Sequence, residues 1–140
     1  MSEDTGSSLA QDAVSEPVGR SVLIVDDEPS IVAPLKFLMQ QQNHHVRVVS
    51  SGDAVIPAME AKRPDLVLLD VMLPEVSGYE LCAMIRDREA WSDVKIIMLT
   101  VKSREADVEK GRSVGADAYI TKPFGIQDVI ETSNRLLRTS

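Results

Sequence analysis

Three runs in this sequence are apolar without alternation: VLIV at 22–25, LVLL at 66–69 and IIML at 96–99. A strand that buries one face alternates apolar and polar residues, so a run without alternation needs cover on both faces. Between and around these runs lie longer segments of helical period. The whole reads as strands near 22–26, 46–49, 66–70, 95–99 and 118–121, with helices near 29–42, 52–62, 78–88, 104–114 and 126–138. The second and fifth strands, VRVV and AYIT, carry polar residues and suit the edges. Right-handed crossovers then give an α/β fold with a doubly wound, five-stranded parallel sheet of order 2-1-3-4-5.

Prolines set the helix limits. Pro29 suits a first turn, where its missing N–H has no partner to lose. Pro34 and Pro57 fall inside the first two expected helices, so a kink or a late start is expected there. Residues 1–20 are rich in Ser, Gly, Asp and Glu, lack aromatics and show no period; they read as a disordered tail ahead of a domain spanning 21–140. The full 140 residues fit one domain with a real core.

A net charge of −7 argues against a general nucleic-acid or anionic-membrane surface. No apolar run reaches a membrane span of roughly 18 residues. The first residues lack the basic start and apolar stretch of a signal peptide, so a cytoplasmic location is expected. The one cysteine, Cys82, excludes an internal disulfide and reads as a small helix-packing residue.

The chemistry gathers where the strands end. In VLIVDDEPS, a buried-type strand runs straight into Asp26, Asp27 and Glu28, whose like charges repel. Open parallel sheets bind ligands outside the carboxyl ends of their strands, at the switch point between the first and third. Asp70 ends the third strand, Thr100 the fourth, and Lys122 follows the fifth. The carboxylates of Asp26, Asp27 and Asp70, the ammonium of Lys122 and one divalent cation balance to zero charge. Clustered carboxylates make a hard-cation site, and Mg²⁺ fits it best. Glu28 is expected to point onward into the helix start.

The acidic pair in VDDE, the aspartate in LLDVMLPEVSGYE, the threonine in MLT and the lysine in TKPF stand in order on the expected strand ends. Over about residues 21–138 the chain resembles the receiver domain of two-component response regulators, of flavodoxin-like fold. The resemblance implies that Asp70 is the phosphoacceptor. It implies Mg²⁺ held by Asp27, Asp70 and the backbone carbonyl of Met72, with Asp26 acting mainly through water. It further implies that Thr100 and Lys122 contact the phosphoryl oxygens, that Tyr119 is an aromatic switch working with Thr100, and that the Lys122–Pro123 peptide is cis. The donor would be a sensor histidine kinase, a histidine phosphotransfer protein or a small phosphodonor. The output would be altered binding of a downstream protein through the helix near 104–114, the last strand and the last helix.

Taken singly, each of these residues has a plainer reading: Asp70 a loop cap, Thr100 strand filler, Lys122 a solvated edge residue, Tyr119 edge packing. Their convergence on one crevice favours function. Gly78 and Gly115 read as structural, at a helix start and a helix C-cap. His44 and His45 precede an edge strand and could suggest phosphorelay chemistry or metal binding, but adjacent histidines on a strand point to opposite faces, against a shared site. Trp91 reads as a loop residue covering nearby surface. Met72, Val101 and Lys102 flank the acid and the threonine, where bulk and charge would shield a phosphoryl group from water.

The chain ends just after its last expected helix, which suits a single-domain regulator unless it is a piece of a longer protein. Receivers of the winged-helix branch carry a second acid where Ala118 stands and an arginine where Thr132 stands, so the charged dimer of that branch is not expected. Two rivals remain. An aspartate-nucleophile phosphatase would need an acid two residues after its nucleophile, where this chain has Met72. A binding module independent of phosphorylation would not need the acids, Thr100 and Lys122 intact.

Overall fold

In the computed structural model, residues 18–101 and 114–138 are described. Five strands, β1 (Ser21–Val25), β2 (His45–Val49), β3 (Leu66–Asp70), β4 (Lys95–Thr100) and β5 (Ala118–Thr121), form one sheet of order β2-β1-β3-β4-β5. All four pairings are parallel. The described helices are α1 (Pro29–Gln41), α2 (Val55–Ala61), α3 (Gly78–Arg86) and α4 (Ile126–Arg138). The tail over residues 1–17, the body of the helix expected near 104–114 and Lys102 lie outside the described residues.

The unbroken apolar runs divide by parity. Leu23, Val25, Val67, Leu69, Ile96 and Met98 face one side and pack with Val55, Met59, Leu81 and Ile85 of α2 and α3. Val22, Ile24, Leu66, Leu68, Ile97 and Leu99 face the other and pack with Leu35, Met39, Val129 and Leu137 of α1 and α4. Each fully buried side chain of this size contributes about 1.5–3 kcal/mol relative to exposure. A polar residue in β1, β3 or β4 would therefore be penalised on either face.

Pro29 opens α1, and the helix continues through Pro34, which lies on its exposed side. The carbonyl left without a donor there is that of Ser30, itself an exposed residue. A 3₁₀ turn at Gly52–Ala54 precedes α2, so Pro57 falls in the first turn of a late-starting helix. Ser77 and Glu80 form a capping box on α3. Trp91 departs from its expected place: it ends a 3₁₀ turn and is buried in the core beside α3, with Arg88 stacked 4.5 Å from its ring centroid. Its surroundings in sequence, Arg88, Glu89, Ser92 and Asp93, are mostly polar, so no periodicity marked it. Cys82 is buried in the same cluster, and burial pushes its thiol up to about 11.

Candidate functional site: an acidic crevice closed by a lysine

The five strands point the same way, so their carboxyl ends share one rim, and β1 and β3 lie side by side at its centre. Asp26 follows β1 and is fully buried. Its Oδ1 accepts the Glu28 N–H at 2.9 Å, and its Oδ2 lies 3.0 Å from Lys122 Nζ. Asp70 ends β3 and is buried, with 4% of its surface still exposed. Its Oδ1 accepts the Met72 N–H at 3.1 Å and lies 3.3 Å from the same ammonium. Asp27, one residue on from Asp26, is exposed. Carboxylate oxygens of Asp26, Asp27 and Asp70 all lie within 4.8 Å of one another.

Lys122 is brought to the crevice by the end of β5. Its N–H donates to the carbonyl of Thr100 at 2.6 Å, and its peptide bond to Pro123 is cis. Thr100 is the buried last residue of β4, opposite Thr121. Tyr119 is partly buried on β5, opposite Met98, and packs against the core shared with α3. Val101 is 57% exposed and Met72 69%, both at the rim.

Sequence reasoning misplaced Glu28. It is the N-cap residue of α1 but makes no side-chain cap bond, and its Oε1 instead lies 3.8 Å from Lys122 Nζ. Its position before Pro29 makes it look like a helix-start acid, and the lysine that draws it aside is contributed by another strand. Three carboxylates thus converge on one ammonium.

Burial raises Asp70 above the usual carboxylate range, and the neighbouring Asp26 adds to this, while the Met72 N–H and Lys122 work against it. Burial works against the charge on Lys122, but its hydrogen bond to Asp26 and the charge of Asp70 outweigh this and raise its pKa. The crevice therefore holds a buried carboxylate that is costly to ionise, a cation fixed beside it and an exposed mouth at Asp27. Three carboxylates with exposed access suit a small hard cation that keeps several waters.

The family model described as the response regulator receiver domain matches residues 22–134, and the chain belongs to that family. The alkaline phosphatase synthesis transcriptional regulatory protein PhoP of Bacillus subtilis is 37% identical over 123 residues, which cover 88% of this chain and 50% of PhoP. The chain thus spans about half the length of this curated relative. The Vibrio cholerae chemotaxis protein CheY4 superposes with a TM-score of 0.81 at 26% identity, over 85% of this chain and 99% of that one. The receiver domain of the sensor histidine kinase PA1611 of Pseudomonas aeruginosa, solved with a magnesium ion coordinated in its active-site cleft, gives 0.78 at 28% identity, over 86% and 98%. Among the described residues, no helix is long and apolar enough to cross a membrane.

Proposed function

We propose that this domain is a phosphorylation-activated switch that accepts a phosphoryl group on Asp70. The observation that carries the proposal is the convergence of the Asp26, Asp27 and Asp70 carboxylates, within 4.8 Å, beside an ammonium 3.3 Å from Asp70. A carboxylate serves as nucleophile in phosphoryl transfer when charge on the transferring group is neutralised and the reactants are held in line. Lys122 neutralises one charge. Mg²⁺ would be held by Asp27, Asp70 and the Met72 carbonyl, with Asp26 acting through water, and would supply the remaining positive charge.

Asp70 Oδ1 is engaged by the Met72 N–H and Lys122, which fixes the carboxylate's orientation. Thr100 and Lys122 would contact the phosphoryl oxygens, and Tyr119 would follow the Thr100 hydroxyl. The output surface comprises the segment near 104–114, β5 and α4, and it engages a downstream protein. The domain turns over no separate substrate; its chemistry is confined to its own phosphorylation and dephosphorylation. Met72 in the place of a second acid speaks against a phosphatase that acts on other molecules. A cytoplasmic location follows from a cytoplasmic donor.

That donor would be a sensor histidine kinase or a histidine phosphotransfer protein. Its docking surface borders the crevice: Ile31, Pro34, Phe37, Phe124 and Ile126 line an apolar groove that continues from Pro123, the neighbour of Lys122. Phe37 is 63% exposed and Ile126 65%. A protein donor that brings a phosphohistidine to Asp70 has to lie over this rim. The test compares intact mass after acetyl phosphate and Mg²⁺: wild type gains one phosphoryl group and Asp70→Asn gains none. Equal incorporation in both proteins overturns the proposal.

A further inference from the structure

At the opposite pole of the sheet, the chain enters β1 through a joint with the turn between α1 and β2. The Gly19 N–H donates to the Asn43 carbonyl at 2.8 Å, and the His45 N–H donates to the Arg20 carbonyl at 2.8 Å. Between these two backbone bonds, the Arg20 N–H donates to His44 Nδ1 at 3.3 Å. His44 is only 6% exposed, and its Nε2 is buried without a hydrogen-bond partner. The adjoining Ser21 N–H is held by Asp65 Oδ2 at 2.8 Å.

Because Nδ1 accepts, the neutral imidazole carries its proton on Nε2. A second proton could go only to Nδ1, where it would face the Arg20 N–H donor to donor. We propose that His44 is a pH-sensitive latch on the chain's entrance into the sheet: neutral, it holds residues 19–21 against the α1–β2 turn, and as imidazolium it releases them. Protonation at Nδ1 takes that acceptor away from the Arg20 amide and leaves a buried cation. The charged and titratable groups facing it, among the described residues, are Arg20 at the entrance, Asp65 ahead of β3 and His45 on β2; the last turn of α1 contributes a backbone carbonyl, Met39 O, to the His44 N–H at 3.1 Å. Burial holds the imidazole below its usual range; Arg20 and His45 act in the same direction, with Asp65 opposed.

Acidification through and below the ordinary histidine value would therefore loosen residues 19–21 and the α1–β2 turn that they meet, while leaving the acidic crevice at the other pole in place. The experiment is hydrogen exchange of the Arg20 amide, corrected for intrinsic rates, from pH 7 to pH 5, together with NMR titration of both imidazoles. Wild type loses about tenfold in Arg20 protection over this range, with the loss confined to residues 19–21 and 43–45. His44→Asn, whose side-chain oxygen can accept at the Nδ1 position without titrating, shows no such loss, and His45→Asn behaves as wild type. Three results would overturn the latch: a flat wild-type profile, an equal loss in His44→Asn, or a His44 midpoint at or above the ordinary histidine value. The imidazole titration needs only the wild-type protein, so the proposal stays exposed to failure even if a variant does not fold.

Discussion

Lys122 Nζ lies 3.0 Å from Asp26 Oδ2, a buried contact between residues 96 apart in sequence. It closes the sheet's ligand-binding rim by joining the end of β1 to the end of β5 across the intervening strands. Removing one partner of a buried pair leaves the other uncompensated, at about 3–5 kcal/mol. Here the remaining carboxylates soften the loss, because Asp70 and Glu28 also face the ammonium. Asp26→Ala should thus destabilise the fold measurably less than Lys122→Ala, which strands the buried Asp26 and Asp70 together; urea midpoints of the two variants decide this.

The division of labour between the two leading acids gives a second expectation. Asp27→Ala deletes the exposed carboxylate proposed to coordinate directly and should remove most of the Mg²⁺ affinity measured by titration without phosphate. Asp26→Ala should weaken it less, since that side chain is already committed to Lys122 and the Glu28 N–H. Undiminished binding in both variants would place the metal elsewhere.

Asp70 gives a pH signature. Its raised pKa means that the folded protein binds this proton more tightly than the unfolded chain does. Wild-type stability without metal therefore falls as pH rises from the ordinary value of 3.8 through the higher folded value. Asp70→Asn carries no such charge, so in chelator it should be more stable than wild type at pH 7, with the gain shrinking as pH falls and vanishing below that ordinary value. Mg²⁺ should then raise the wild-type urea midpoint by mass action and move the variant much less.

Gly78 makes a test of how tightly α3 is set against the site. A Cβ there would stand 2.3 Å from the Asp70 carbonyl oxygen and 2.9 Å from Val71 Cα, both backbone atoms. The Gly78 N–H also donates to the Val71 carbonyl at 2.9 Å. Alanine improves helix propensity by up to about 1 kcal/mol. Against this, forcing the backbones apart costs about 1–3 kcal/mol and displaces Asp70. Gly78→Ala should lower both the urea midpoint and the rate of phosphorylation by acetyl phosphate.

The central strands were legible because both faces of β1, β3 and β4 are buried, which removes every polar residue from the runs themselves. Strand ends were legible for the same reason: Asp26, Asp70 and Thr100 are the first polar residues after long apolar stretches. Contacts made by side chains reaching across the fold were not. Glu28 looked like a helix-start acid until Lys122 drew it aside, and Trp91 looked like surface because its burial depends on α3 and Arg88 rather than on any local period. Arg86 is a similar case. Its guanidinium donates to the carbonyls of Val94 and Gly115 and to Asp117, pinning the approach to β5, and nothing in its sequence neighbourhood announces that role.

Shielding of the phosphoryl group is expected from the exposed side chains of Met72 and Val101 at the rim, with Lys102 beyond the described residues as their proposed partner. Val101→Ala combined with Lys102→Glu should open the approach of water and speed loss of the phosphoryl group after donor removal by about tenfold, some 1.4 kcal/mol of barrier. Unchanged decay with Mg²⁺ saturating would remove the shielding idea and leave the phosphoacceptor untouched.

If the proposed docking of protein donors on the groove beside the crevice holds, the two kinds of donor respond differently to a change there. Phe37→Asp should slow transfer from a phosphohistidine-bearing partner while leaving phosphorylation by acetyl phosphate unchanged, because Phe37 borders the groove and not the acids. Equal slowing with both donors would mean that the substitution disturbs the site itself.

The most direct test of the account locates the phosphoryl group chemically. An acyl phosphate on an aspartate is reduced by borohydride to homoserine, so protein treated with acetyl phosphate and Mg²⁺, reduced and read by tandem mass spectrometry reports which carboxylate was modified. The account predicts homoserine at position 70 and at neither Asp26 nor Asp27; reduction product at either of those positions, or none at Asp70 in protein whose intact mass shows phosphorylation, would contradict it.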